Sequence, residues 1–209
     1  MANFTKSVIS VPVFGKTTIT MLGGGPPPAN LALDIRPDNP GLVSATRTAT
    51  RLGPEYDWEI TGKFPGKTLL QALIPGTAST YSAPLEVVVT GRITIKFSAN
   101  GEGTMTCVGL GNFKVLGQPG RQYPKDITVD PNADPTVKKT LHHSKEFNVD
   151  MPFAIRIWGQ MGIFIHEFPD NLSENGGPSA GCIHVGKPNS KRVFDYIVTR
   201  TRITIEYPW

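Results

Sequence analysis

Cysteine is scarce in this chain: only Cys107 and Cys182 occur among 209 residues. Two cysteines build no disulfide framework and match no zinc-ligand spacing, so neither a stapled scaffold nor a structural metal site accounts for them. Charge is sparse as well, with Asp, Glu, Lys and Arg at 18% and a formal net charge of +4. Basic residues concentrate only at Lys138-Lys139, Lys191-Arg192 and Arg200/Arg202. Nucleic-acid binding needs a denser stripe with interleaved aromatics, so no nucleic acid is expected as a partner. What the excess charge provides is a weak long-range attraction for an anionic polymer. No apolar run reaches the length of a membrane span. The amino end, MANFTKSVISVPVF, lacks a basic region followed by an apolar core and a small-residue cleavage site, so no secretory signal is read there. The glycines of Gly23-Gly-Gly-Pro-Pro-Pro28 precede no Gly-Lys-Ser/Thr, which excludes a phosphate loop and leaves a surface turn.

Glycine and proline are abundant, at 22 and 19 residues, and they punctuate short β-prone runs. In the first ninety residues these runs include Thr17–Leu22, Leu31–Ile35, Gly41–Thr50, Asp57–Thr61, Lys67–Leu73 and Leu85–Val89. Regular short strands with Pro/Gly turns between them predict a β-sandwich, with Trp58 as a core anchor. Farther on, Arg92–Phe97, Thr104–Gly109 and Gly111–Leu116 alternate as strands. Gly117–Asp150 is polar and rich in X-Pro steps, long for a plain connection, and suits a cover over a site. His142-His143 within it read as part of a solvated loop rather than as metal ligands. Near the end, Asn189 or Ser190 can cap a helix whose Val193, Phe194, Ile197 and Val198 share one face.

The most informative stretch is Gly162-Ile-Phe-Ile-His166, followed sixteen positions later by the cysteine of Ser179-Ala-Gly-Cys182-Ile-His184. A thiol attacks carbonyls as thiolate, and a neighbouring imidazole can take its proton. An apolar strand holds the His166 ring. The small residues Gly177-Pro178-Ser179-Ala180-Gly181 let backbone N–H groups approach a substrate carbonyl as an oxyanion hole. A cysteine taken singly is most often a small buried hydrophobe, and Cys107 reads as such a strand core residue. The ordered set of strand, His, loop, Ser-x-Gly-Cys turn and helix-like segment points instead to nucleophilic catalysis.

At these residues the chain resembles the YkuD-type L,D-transpeptidases, whose signature is a His, a variable loop and Ser/Thr-His-Gly-Cys-x-Asn/Arg. Met151-Pro-Phe-Ala-Ile-Arg-Ile-Trp158 and the strand after it are similar to the family's Met-Pro-Tyr strand leading into Gly-Ile-x-Ile-His. Ser190–Ile205 is similar to its closing helix and final strand. The resemblance covers about residues 92 to 209 and is strong from 151 onward. Two positions depart from the pattern: Ala180 replaces the second histidine, and His184 stands where Asn or Arg is usual. Tyr81–Val89 looks like the last strand of bacterial immunoglobulin-like modules, with Thr90-Gly91 as a short hinge.

These resemblances imply a mainly β protein, with an immunoglobulin-like β-sandwich over 1–90 and a YkuD-like, β-rich catalytic domain with few helices over 91–209. They imply Cys182 as nucleophile and His166 as its base. Gly181, Ser179 and Glu167 take oxyanion and orienting roles, Glu167 through its backbone carbonyl, and His184, Trp158 and Phe153 contact substrate. The implied reaction is acyl transfer through a thioester on peptidoglycan stem tetrapeptides: cross-linking, D-amino acid exchange or carboxypeptidase cleavage. It needs no metal and no organic cofactor. With no signal read, the expected place is the periplasm or cell wall reached by another export route. That setting includes a toxin delivered to a target cell, with a secretion apparatus or an immunity protein as partner. Two other readings stand beside it. A wall-cleaving cysteine peptidase of the papain-like kind places its cysteine before its histidine, the reverse of the order here. A non-catalytic wall-binding or structural protein on the same scaffold is the reading that Ala180 keeps open.

Overall fold

The computed structural model describes residues 2–23, 31–35, 39, 41–50, 55–77, 79–168 and 180–209. They are mostly strand, as the alternation predicts, and divide into two compact units, Met1–Thr90 and Gly91–Trp209.

The first unit holds β1 (Asn3–Phe4), β2 (Val8–Pro12), β3 (Lys16–Leu22), β4 (Ala32–Ile35), β5 (Val43–Thr50), β6 (Glu55–Gly62), β7 (Gly66–Leu73) and the first part of β8 (Leu85–Phe97). One sheet runs β1-β3-β6-β5, all antiparallel. In the other, β8 lies between β2 and β7, and β7 pairs with β4. Period-two alternation turns Val11, Leu70, Val87 and Val89 fully inward. Trp58, the expected anchor, is 2% exposed and lies 6.2 Å from the Tyr56 ring. The Gly23–Pro28 turn falls, beyond Gly23, outside the described residues.

The second unit holds the rest of β8 together with β9 (Glu102–Cys107), β10 (Gly111–Leu116), β11 (Asp126–Val129), β12 (Lys138–Ser144), β13 (Val149–Trp158), β14 (Ile163–Phe168), β15 (Ile183–Gly186), helix α1 (Asn189–Tyr196) and β16 (Thr201–Glu206). Its strands pair in the order β11-β16-β8-β9-β10-β15-β14-β13-β12. The β16/β8 and β14/β15 joins are parallel and the others antiparallel. Cys107 is buried in β9, and burial pushes its thiol up to about 12, which makes it the inert core residue expected.

Three local expectations are corrected. Gly117–Asp150 is not one long loop: it contains β11, a 3-10 turn at Pro135–Val137, β12 and the start of β13. Strand β12 lies at the end of the pairing order and is mostly exposed, so it carries no hydrophobic alternation to read; its backbone partners come from β13. Strand β8 runs unbroken through Thr90-Gly91, where a hinge was expected. Gly91 marks a close strand approach instead, since a Cβ there would lie 2.5 Å from Thr201 Oγ1. Helix α1 has no side-chain cap, because Pro188 occupies the N-cap and the Ser190 hydroxyl is turned to the Glu167 carboxylate. Its buried positions are Ser190, Val193 and Tyr196, whereas Val198, beyond its end, is 42% exposed. The helix stops early where Lys138 Nζ takes the carbonyls of Phe194 and Ile197. The Tyr196 hydroxyl fastens it to the sheet, accepting from Arg92 N–H at 3.1 Å and donating to the Val108 carbonyl at 2.9 Å. So held, α1 packs against β13, β14 and β15.

Candidate active site

The sequence suggested a helix-like segment directly after Cys182, but β15 comes first and pairs in parallel with β14. The register matches Ile165 with Ile183 and His166 with His184. Alternation then sets Phe164, His166 and Phe168 on one face, beside Cys182 and His184 from the neighbouring segment. Cys182 sits one strand over and two residues back from His166, roughly 8 Å between Cα atoms at ordinary strand spacing and rise. On the opposite face Ile165, Ile183 and Val185 are completely buried, which holds the pair in place.

His166 is 6% exposed, and its Nδ1 lies 2.7 Å from the Glu167 carbonyl oxygen. A carbonyl can only accept, so Nδ1 carries the hydrogen and Nε2 keeps its lone pair as a base. Burial holds the imidazole below its ordinary value; the Glu167 hydrogen bond opposes this, and His142 adds a small push in the same direction as burial. The Glu167 carboxylate accepts from Ser190 and has Lys187 Nζ 3.8 Å away, which ties the end of β14 to the start of α1.

Cys182 is a half-buried thiol outside any disulfide, packed against Met151, Ala154 and Phe164. Burial raises it above the ordinary thiol value of 9.0, against smaller opposing effects of a Phe164 backbone hydrogen bond and the Arg121 guanidinium. His184 is 7% exposed, meets the His166 ring edge-on at 4.8 Å and stacks on Phe168 at 4.2 Å. Burial, with His166 beside it, lowers His184 to about 3, so it is neutral at physiological pH.

Cys182, His166, His184 and Gly181 all line one cavity of about 680 Å³, joined by Arg121, His142 and Met161. The Gly117–Asp150 stretch thus borders the thiol, as a cover would, but by way of a loop and a hairpin rather than a plain loop. His142 stacks on Phe164 at 4.7 Å, and His143 Nδ1 lies 2.9 Å from Asp150. Trp158 lies elsewhere, in an adjoining depression of about 410 Å³ that also takes in Arg121. Phe153 packs on Phe194 at 5.6 Å and lines neither hollow. Ser179 falls outside the described residues. Among the described residues no group of three or more His, Cys, Asp or Glu is placed to hold a metal ion, and no helix is long and apolar enough to cross a membrane.

Sequence reasoning missed Arg121, a lone arginine with no motif around it. Its guanidinium packs on Gly181, where an added Cβ would lie 2.6 Å from Nη2. Gly181 has φ +128°, a conformation that favours glycine, and glycine also leaves room for the cation. That glycine beside the cysteine was the one readable trace of a close neighbour.

A family model described as the L,D-transpeptidase catalytic domain matches residues 67–205, beginning in β7. No curated protein sequence matches significantly. Among solved structures, an L,D-transpeptidase from Mycobacterium smegmatis is similar at 13% identity, covering 94% of each chain with a TM-score of 0.43. An L,D-transpeptidase from Stackebrandtia nassauensis shares 17% identity over 56% of this chain and 57% of its own, with a TM-score of 0.43. The adhesin InvE of Yersinia pseudotuberculosis shares 10% identity over 63% of this chain and 40% of its own, with a TM-score of 0.31.

Proposed function

The chain belongs to the YkuD family of L,D-transpeptidase catalytic domains, and on that premise we propose that it is a cysteine acyltransferase acting on peptidoglycan stem peptides through a thioester at Cys182. The observation that carries this reading is one cavity shared by a thiol and an imidazole whose Nδ1–H is committed to a carbonyl. Both groups are neutral at rest, because burial raises the thiol and lowers the imidazole. Proton transfer therefore accompanies attack rather than preceding it.

In the first step the Cys182 proton passes to His166 Nε2 as sulfur bonds to the carbonyl carbon on the L side of an L,D linkage. Backbone N–H groups of the Gly181–Cys182 turn are the donors assigned to the resulting oxyanion. Collapse breaks the C–N bond, and imidazolium returns its proton to the departing D-alanine amine. The thioester then passes the acyl group to a stem amine, a free D-amino acid or water, which gives cross-linking, exchange or carboxypeptidase cleavage. His184 stays neutral beside His166, so it supports the base without repelling the charge that forms there. The position of Trp158 in the depression next to the cavity supports a contact with a more distant part of the stem. To the first unit we assign the role of an immunoglobulin-like spacer or docking module. The substrate lies outside the cytoplasm, in periplasm or wall; a cognate immunity protein or secretion-apparatus partner would identify the protein as a toxin acting on another cell.

Purified protein incubated with tetrapeptide muropeptides, with and without a D-amino acid, should release or exchange the terminal D-alanine, read by mass spectrometry. Cys182→Ala should abolish turnover and the acyl-enzyme, and His166→Ala should cost about 10² to 10⁴ in rate. Full activity in Cys182→Ala overturns the mechanism, and cleavage within the stem makes the protein an endopeptidase. Ala180, in place of the family's histidine, favours the alternative of a non-catalytic wall-binding scaffold. Binding to wall fragments without any acyl-enzyme would establish it.

A further inference from the structure

From the placement of Arg121 against the turn that carries the nucleophile, we infer that its guanidinium is the subsite for a free carboxylate one residue beyond the scissile carbonyl. That carboxylate is the terminus of the departing, or incoming, D-amino acid, so the subsite confines the enzyme to peptide ends. The inference rests on the transfer reaction proposed above and specifies what that reaction recognises.

The loop bearing Arg121 is held firmly. Its N–H bonds to Gln118 O at 3.2 Å, its carbonyl accepts from Trp209 Nε1 at 2.7 Å, and Gln118 N–H donates to the Tyr123 hydroxyl at 2.9 Å. The Tyr207 hydroxyl donates to Tyr123 O at 2.9 Å. The rings of Phe97, Tyr123, Tyr207 and Trp209 stack or tilt on one another at 5.4–6.1 Å. This clamp aims a cation at Gly181, the residue before the nucleophile. Among the described residues the cation has no counter-ion: Arg121 Nε is buried with no hydrogen-bond partner there, and Arg121 makes no ion pair. A planar fork whose buried Nε has no partner among the described residues, in a cavity that also holds a thiol, suits bidentate binding of a planar anion.

Position decides which carboxylate. An extended peptide advances about 3.3–3.6 Å per residue, so the terminal carboxylate follows the attacked carbonyl by one such step. The guanidinium packs on Gly181, one residue from Cys182 in the chain, and lines the same cavity as the thiol. A side-chain carboxylate on the acyl donor residue lies several bonds farther off and would have to fold back.

The test compares kcat/KM of wild type, Arg121→Gln and Arg121→Lys on three tetrapeptides: the free acid, its C-terminal amide, and the free acid with the donor side-chain carboxylate amidated. Wild type should prefer the free acid over the terminal amide by about 10- to 100-fold, the range of a charge-assisted hydrogen bond. Amidating the side chain should change little. In Arg121→Gln the acid/amide ratio should fall towards one, and Arg121→Lys should restore part of it. Equal losses on acid and amide overturn the inference and make Arg121 a support for the thiol or oxyanion, while sensitivity only to the side-chain amide moves the subsite to that carboxylate and overturns it too. A binding titration of the Cys182→Ala protein with N-acetyl-D-alanine against its amide requires no turnover. Preference for the acid that disappears on adding Arg121→Gln supports the subsite, and no preference sinks it. If no tetrapeptide is turned over by wild type, the transfer reaction fails on its own, visibly apart from the carboxylate preference.

Discussion

The resting state of the thiol is open to direct measurement. Many cysteine nucleophiles are held as thiolate against imidazolium, with a thiol titrating well below neutrality. Here the structure argues for the opposite, because Cys182 packs on Met151, Ala154 and Phe164 and its thiol is raised above 9.0, while His166 is lowered from 6.5. An ordinary thiol is already only a few per cent thiolate at pH 7, so Cys182 should fall below that. Alkylation by iodoacetamide, followed site by site by mass spectrometry from pH 5 to 10.5, should show Cys182 rising in one step centred above the ordinary thiol value, with no plateau near neutrality. Because His166 is neutral at pH 7, His166→Ala should leave that midpoint almost where it is, yet still abolish rapid acyl transfer. Cys107, pushed to about 12 and 1% exposed, should label far more slowly at every pH. An alkylation midpoint below pH 7 that moves upward by two or more units in His166→Ala would mean a pre-formed ion pair and refute the neutral-pair argument.

His184, lowered to about 3 from 6.5, remains neutral in the folded state while the unfolded chain takes up a proton. Its contribution is therefore full above about pH 6.5 and is lost as pH falls towards 3, amounting to a few kcal/mol; urea unfolding free energies should decline less over that range in His184→Gln than in wild type. Gly181→Ala places a Cβ 2.6 Å from Arg121 Nη2 at φ +128° and should cost about 1–3 kcal/mol in urea unfolding. The penalty should shrink in an Arg121→Ala background, and an equal penalty in both would show that the guanidinium does not occupy that space. Lys138→Met removes the donor to two helix-end carbonyls and should cost about 1–3 kcal/mol by the same measurement, with no change in Cys182 labelling. The acid limb of kcat/KM should lie below 6.5, because a depressed His166 keeps its lone pair to lower pH; a limb above 6.5 would remove it as the base.

Much of this was legible in the residues. Alternation exposed most strands, including the buried Trp58 and Cys107, because a side-chain period of two needs only local sequence to be seen. The thiol, its histidine and the orienting Glu167 carbonyl were legible as a pattern. Strand β12 was not, since an exposed strand at the end of a sheet has no apolar face to betray it, and β15 was hidden because four residues are too few to show a period.

By itself the chain determined its β character and the core position of Cys107, and it named Cys182 and His166 as the groups to look for together. Only the tertiary structure decided which groups meet. The parallel register of β14 and β15 sets His184 edge-on to His166 and brings the thiol two residues back on the same face. An aromatic clamp drawn from Phe97, Tyr123, Tyr207 and Trp209 carries Arg121 to Gly181. Both depend on pairing between segments far apart along the chain, and local preferences do not encode that pairing: register is settled by which buried faces and backbone partners are satisfied together.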